Sequence, residues 1–212
     1  MFRRLLRLLL RPIHRFLIRR TSVEDPWAVV PTFLISPGRL GPGSTRPFSW
    51  YFEGTSTVKV GNIEDVLQWL AGCTYARDID LFHEPDYWQH PTTFEHLRRG
   101  DCEDHALWAW RKLIELGVKA DFFVGQLKPE SDRSGHHAWV VYERENVRYL
   151  LEPVAKSGSP QVRPLEEARS EYRPHYSVDA SYRVQARAGL LLYLREEELA
   201  RLAKSKKSPR AA

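Results

Sequence analysis

A thiol, an imidazole and a carboxylate follow one another along this chain in an order that suits nucleophilic catalysis. Cys102 sits in Arg-Arg-Gly-Asp-Cys-Glu-Asp-His-Ala, residues 98–106, between a glycine break and an apolar-periodic run. His137 follows 35 residues later in Gly135-His136-His137-Ala138-Trp139-Val140, and Glu152 lies fifteen beyond it in Leu151-Glu152-Pro153. A thiol is a nucleophile only as its thiolate, and a free cysteine has a pKa of about 8.5. A helix N-terminus and a protonated histidine both favour the anion. A carboxylate beside the histidine fixes the ring and stabilises the imidazolium. The backbone N–H of Cys102 is then a natural oxyanion donor. Asp101, Glu103 and Asp104 oppose this chemistry, because negative charge raises a thiol pKa. They must point away, bind a cation, or be outweighed by the helix end and His137.

Each residue also has a plainer use. Cysteine is among the most buried residue types, acids at a helix start cap it, and a strand histidine can simply be hydrogen-bonded. Only the three in order, with their neighbours, favour the catalytic reading.

The elements needed to position them are legible. Asp101 is an N-cap for a helix whose buried stripe is Ala106, Trp110, Leu113 and Ile114, with Arg111, Lys112 and Glu115 facing water. Gly117 ends it as the C′ residue. Strands are expected over 121–127, 137–143 and 147–152. A helix followed by antiparallel strands is the α+β class. A hairpin symmetric about the Arg144–Glu145 bond pairs residue i with 289 − i and sets His137 opposite Glu152 on one face, with Cβ atoms about 4.5–5.5 Å apart. An odd loop would separate them across the sheet; lacking glycine, a four-residue loop over 143–146 is favoured. Upstream, 62–70 reads as a helix with Ile63, Val66, Leu67 and Leu70 on one face, and 48–53 as a short strand.

At 212 residues with 42% hydrophobic content, the chain can bury a proper core. Its two cysteines, Cys73 and Cys102, imply no disulfide framework and exclude a four-cysteine zinc site. The formal net charge of +5 is unevenly spread. Residues 1–22 carry seven Arg and no acid, which leaves −2 for the other 190 residues. The body is mildly acidic and ill suited to a nucleic-acid groove. Residues 1–22 read as a basic amphipathic helix suited to an anionic membrane surface, too interrupted for a span or a signal peptide. The domain is expected over 23–195, with its core at about 60–155 and a charged, disordered tail over 196–212. The expected location is cytoplasmic, peripheral on the membrane.

Gly100-Asp101-Cys102, His137-Ala138-Trp139-Val140 and Glu152-Pro153 together resemble the transglutaminase-like superfamily of the papain-like fold. Gly-Asp-Cys-Glu-Asp-x-Ala, with Trp88 and Pro91 upstream, is most similar to its bacterial transglutaminase-like cysteine proteinases. The resemblance covers about 60–155. It implies a catalytic helix packed on an antiparallel sheet, with Cys102 as nucleophile, His137 as base and Glu152 as orienting acid. It further implies hydrolysis of a protein or peptide amide through an acyl-thioester, or acyl transfer from glutamine to an amine. It suggests Trp88 in the oxyanion region, and calcium as a cation for Asp101, Glu103 and Asp104. Glu152 stands where the family usually has Asp, and His105 where it has an aromatic or apolar residue. A catalytically silent binding module at a membrane is the alternative of a different class.

Overall fold

Among the described residues, seven strands join in one antiparallel sheet of order β1-β9-β8-β4-β5-β6-β7, the labels following chain order. They are β1 (Val29–Val30), β4 (Ala120–Leu127), β5 (His136–Arg144), β6 (Val147–Glu152), β7 (Gln161–Pro164), β8 (Tyr172–Val178) and β9 (Val184–Arg187). Two short strands, β2 (Thr74–Tyr75) and β3 (Arg99–Gly100), pair parallel apart from it. The helices are α1 (Ile63–Ala71), α2 (Asp78–Leu81), α3 (Pro91–Leu97), α4 (Cys102–Glu115), α5 (Leu165–Ala168) and α6 (Ala188–Lys207). This computed structural model describes residues 23–31, 40–127, 136–154 and 161–207. The amphipathic helix expected over 1–22 and the end of the tail, 208–212, lie outside the described residues. No helix among the described residues is long and apolar enough to cross a membrane.

The sheet exists because its central strands are apolar on both faces. Phe122, Val124, Ala138, Val140, Tyr142 and Leu151 face one core, in which α4 lies. Phe123, Trp139, Val141 and Leu150 face a second, closed by Trp27, Leu165 and Tyr172. Successive strand residues point to opposite faces, so these central strands read as near-continuous apolar runs. The sheet draws on strands from 161 to 187 and on Val29–Val30, well outside the 60–155 core expected from sequence.

α4 starts and stops where its sequence says. Asp101 is the N-cap residue, and the Asp104 carboxylate accepts the Asp101 N–H at 3.3 Å. At the other end Gly117, at φ +75°, donates to Ile114 O and Val118 donates to Leu113 O, both at 2.9 Å. These two bonds make a Schellman motif, which needs a residue that tolerates positive φ. α1 forms as expected, with the Asn62 side chain accepting the Asp65 N–H at 2.8 Å.

Two expectations are corrected. Residues Phe48–Phe52 form a 3-10 helix rather than a strand, because Phe48 and Tyr51, three apart, are the pair the core takes. Arg111 and Lys112 do not face water; they are 3% and 1% exposed. The chain over 51–58 folds across α4 and gives them partners. Arg111 donates to the carbonyls of Tyr51, Glu53 and Gly54 at 2.7–3.1 Å. Lys112 donates to Val58 O at 2.7 Å and to Ser56 Oγ, and its Nζ lies 3.5 Å from Glu95. Buried cations persist only when paired or hydrogen-bonded in this way. α4 is therefore a central helix covered on all sides, and the charge periodicity alone cannot reveal it.

The β5–β6 hairpin also departs from the expected register. Glu145 and Asn146 have φ of 54° and 63°, the two positive φ values of a tight two-residue turn. Arg144 faces Val147 and Val140 faces Leu151, so residue i faces 291 − i rather than 289 − i. A shift of two preserves the faces. His137 and Glu152 stay on one side of the sheet, but as diagonal rather than direct neighbours.

Candidate active site

His137 Nε2 lies 2.7 Å from Glu152 Oε2. Continuing the hairpin register places Glu152 across from Trp139, two residues from His137. Diagonal cross-strand positions are about 7–8 Å apart and are spanned only by long side chains. The extra methylene of glutamate over aspartate supplies that reach. Glu152 is further held by the Tyr172 hydroxyl, which donates to the same Oε2 at 3.0 Å, and by the Val154 N–H on Oε1 at 3.0 Å. The His137 ring stacks on Trp139 at 6.1 Å between centroids, so the pair belongs to the face away from the body of α4.

Cys102 opens α4. The β5–β6 ladder ends at Val140 and Leu151, and β5 runs on toward its start without β6 beside it. The Ala138 backbone acts in favour of the thiolate form of Cys102. The hydrogen bond the thiol makes among the described residues goes to Glu103 Oε2 at 3.1 Å, not to His137. Burial first, then the charges of Glu103 and Asp101, push the thiol well above the ordinary cysteine range.

The acids anticipated around Cys102 converge with two more that sequence reasoning missed. Oxygens of Asp78, Asp101 and Asp104 lie within 4.8 Å of one another, as do those of Asp78, Asp86 and Glu103, and the ligand atoms of Asp101, Cys102 and Glu103. Burial raises Asp78 from 3.8 to about 7. Burial followed by the Asp101 charge raises Glu103 and Asp104 well above the usual carboxylate range. Buried Asp78 Oδ1 and Asp101 Oδ1 have no hydrogen-bond partner among the described residues. Orphaned carboxylate oxygens beside crowded acids are a donor set that fits a hard cation. The cluster of aspartates over 78–86 is the signal in the sequence that could have pointed to Asp78 and Asp86.

Of the other candidates, Trp88 is buried in the α4 core and its indole N–H donates to Asp86 Oδ1 at 2.9 Å. That donor fixes an acid of the cluster. Gln89 holds Asp104 through its backbone N–H at 2.8 Å and through its side chain. His105 is 2% exposed, its Nδ1 lies 2.7 Å from Asp101 O, and burial lowers its pKa to about 4. It is a neutral brace under the helix start. His136, the neighbour of the expected base, points to the other face of β5.

The architecture, a cysteine-opened helix on an antiparallel sheet with histidine and acid on adjacent strands, is the α+β arrangement implied by the transglutaminase-like resemblance. Among protein-family models and curated proteins, none matches the chain. Among solved structures it is similar to Legionella pneumophila LapG in three forms. The calcium-bound form is 20% identical with a TM-score of 0.47, over 69% of this chain and 80% of that one. The EGTA-treated form gives 18% and 0.45, over 80% and 81%. A third LapG structure gives 18% and 0.46, over 89% and 94%. At such values the likeness says nothing about what this chain does.

Proposed function

We propose that the protein is a cysteine-dependent amidase acting on a protein or peptide through an acyl-thioester, with Cys102, His137 and Glu152 as its catalytic residues. The observation that supports this reading is the His137–Glu152–Tyr172 chain of hydrogen bonds on the strand whose next residue, Ala138, favours the Cys102 thiolate through its backbone. With Nε2 donated to Glu152, Nδ1 is the nitrogen left to take the thiol proton. The thiolate then attacks the amide carbonyl carbon, and the C=O electron pair moves onto oxygen. The helix-start N–H of Cys102 faces that charge. Collapse expels the amine, which takes the proton from His137. Water, deprotonated by the same ring, hydrolyses the thioester and restores the thiol.

The acid cluster of Asp78, Asp86, Asp101, Glu103 and Asp104 is read as a calcium site, with Asp78 common to two of its converging groups. A bound divalent cation offsets the negative charge that holds the thiol protonated. Carboxylate-only oxygen ligands favour calcium over softer metals. Without a cation the same geometry describes a silent thiol, so the inactive-module reading and the enzyme reading are separated by one variable.

The test is the rate of iodoacetamide alkylation against pH, read by intact mass in calcium and in EGTA. In calcium Cys102 should react well below the free-thiol value of about 8.5. Cys102→Ala should remove that reaction and Cys73→Ala leave it intact, since burial raises Cys73 to about 12. A profile for Cys102 no different from a free thiol in both buffers would refute the reading.

A further inference from the structure

On the α4 side of the sheet a cavity of about 300 Å³ is lined by Leu40, Val124, His136, His175, Leu190 and Tyr193. It opens on the face of β5 opposite to His137 and Glu152. Val124 faces Ala138 across the β4–β5 ladder, and His136 precedes His137. Its back wall is made by an irregularity in β8. Val124 faces Tyr176 but Gly125 faces Pro174, so His175 is an extra residue that faces neither. Such bulges re-aim a side chain. Gly125 permits this one, because a Cβ there would collide with the Arg173 carbonyl and stand 2.8 Å from Pro174 Cα.

The bulged His175 is 1% exposed, and its Nε2 has no hydrogen-bond partner among the described residues. The ring is fixed between His136, 5.6 Å away, and Tyr193, 4.9 Å away. Burial, and then the neighbouring His136 and Arg173, hold it neutral, with a pKa lowered to about 3. A buried polar atom without a partner is costly unless a ligand or water satisfies it. Among the described residues no carboxylate lines the cavity to receive a cation, and the neutral ring offers an anion no charge. The volume, at the lower end of ligand sites, suits one side chain rather than a larger ligand.

We propose that this cavity receives an uncharged, hydrogen-bonding side chain of the size of asparagine; that this side chain belongs to the substrate rests on the amidase reading. The carboxamide both donates and accepts, so it satisfies Nε2 in either tautomer.

The experiment uses the full-length Cys102→Ala protein and three blocked amino acids of similar shape, the N-acetyl N-methylamides of asparagine, leucine and aspartate. Binding is read from the ring nitrogen shifts of His136 and His175. Asparagine should move both rings to saturation, with leucine and aspartate binding roughly tenfold more weakly or worse. His175→Phe should erase the difference between asparagine and leucine, and His175→Gln should keep it. Unmoved rings, or leucine binding as well as asparagine, would overturn the proposal. A null alkylation profile of wild-type Cys102 would sink the amidase reading without changing these shifts, so the two failures are told apart.

Discussion

Glu152→Asp should impair the thiol although aspartate is the residue that related motifs usually carry at this place. The shortened side chain retracts the carboxylate by about 1.5 Å, one C–C bond. The 2.7 Å contact with His137 Nε2 is then out of hydrogen-bond range. An aspartate would also fold back on the Val154 N–H, which Glu152 already holds at 3.0 Å, because short acids favour a bond to the backbone two residues on. A hydrogen bond to a charged group contributes about 1.5–3 kcal/mol. If the whole of it is lost from the imidazolium–thiolate state, alkylation at neutral pH slows by roughly 10- to 150-fold. The assay is iodoacetamide labelling of Cys102 in calcium, followed from pH 5 to 10 by intact mass, with thermal melts to show that both proteins are folded. The two rates should converge at high pH, where the thiolate forms without help. A folded Glu152→Asp protein that labels as fast as wild type at neutral pH would refute the diagonal geometry.

Three further outcomes follow from the same contacts. Asp78 has a folded pKa raised from 3.8 to about 7, so its contribution favours folding at low pH and is lost as pH rises through about 7. Melting temperature in EGTA should fall between pH 4 and pH 7, and calcium should flatten that fall; an unchanged slope would count against a cation among these acids. Glu145 and Asn146 both sit at positive φ, so Glu145→Asn with Asn146→Gly should stabilise by about 1 kcal/mol, a rise of roughly 2–4 °C. Lys112→Met leaves the Glu95 carboxylate, 2% exposed, without its cation and should cost about 3–5 kcal/mol; adding Glu95→Gln should recover part of it in urea unfolding.

The α4 boundaries and the central strands are legible from sequence because local rules govern them. An acid before the helix, glycine after it, and runs of apolar residues each act within a few positions. The shared face of His137 and Glu152 is legible too, since it depends only on the hairpin loop being even. The register is not. Glu145-Asn146 adopts a turn that glycine usually marks, and only the packed sheet imposes it. Buried Arg111 and Lys112 look like surface charges because their partners, the carbonyls over 51–58, are non-local. Tyr172 carries no local sign of a site, and the aspartates over 78–86 show only a local cluster of acids; they arrive through β8 and through the turns around α2, which bring distant segments to the start of α4.

The additional residue in β8 has a consequence for both sides of the molecule. Val178 and Tyr176 keep step with β4 in one phase, and Pro174, Arg173 and Tyr172 in the other. Were His175 to take a regular place in the ladder, the lower half of the strand would slip by a half-period: the phenol that clasps Glu152 would swing through the sheet, and whatever replaced it would have to reach the acid from the wrong layer. One amino acid out of step lets a single strand furnish a wall for a cavity on one side and a clamp for the Glu152 carboxylate on the other.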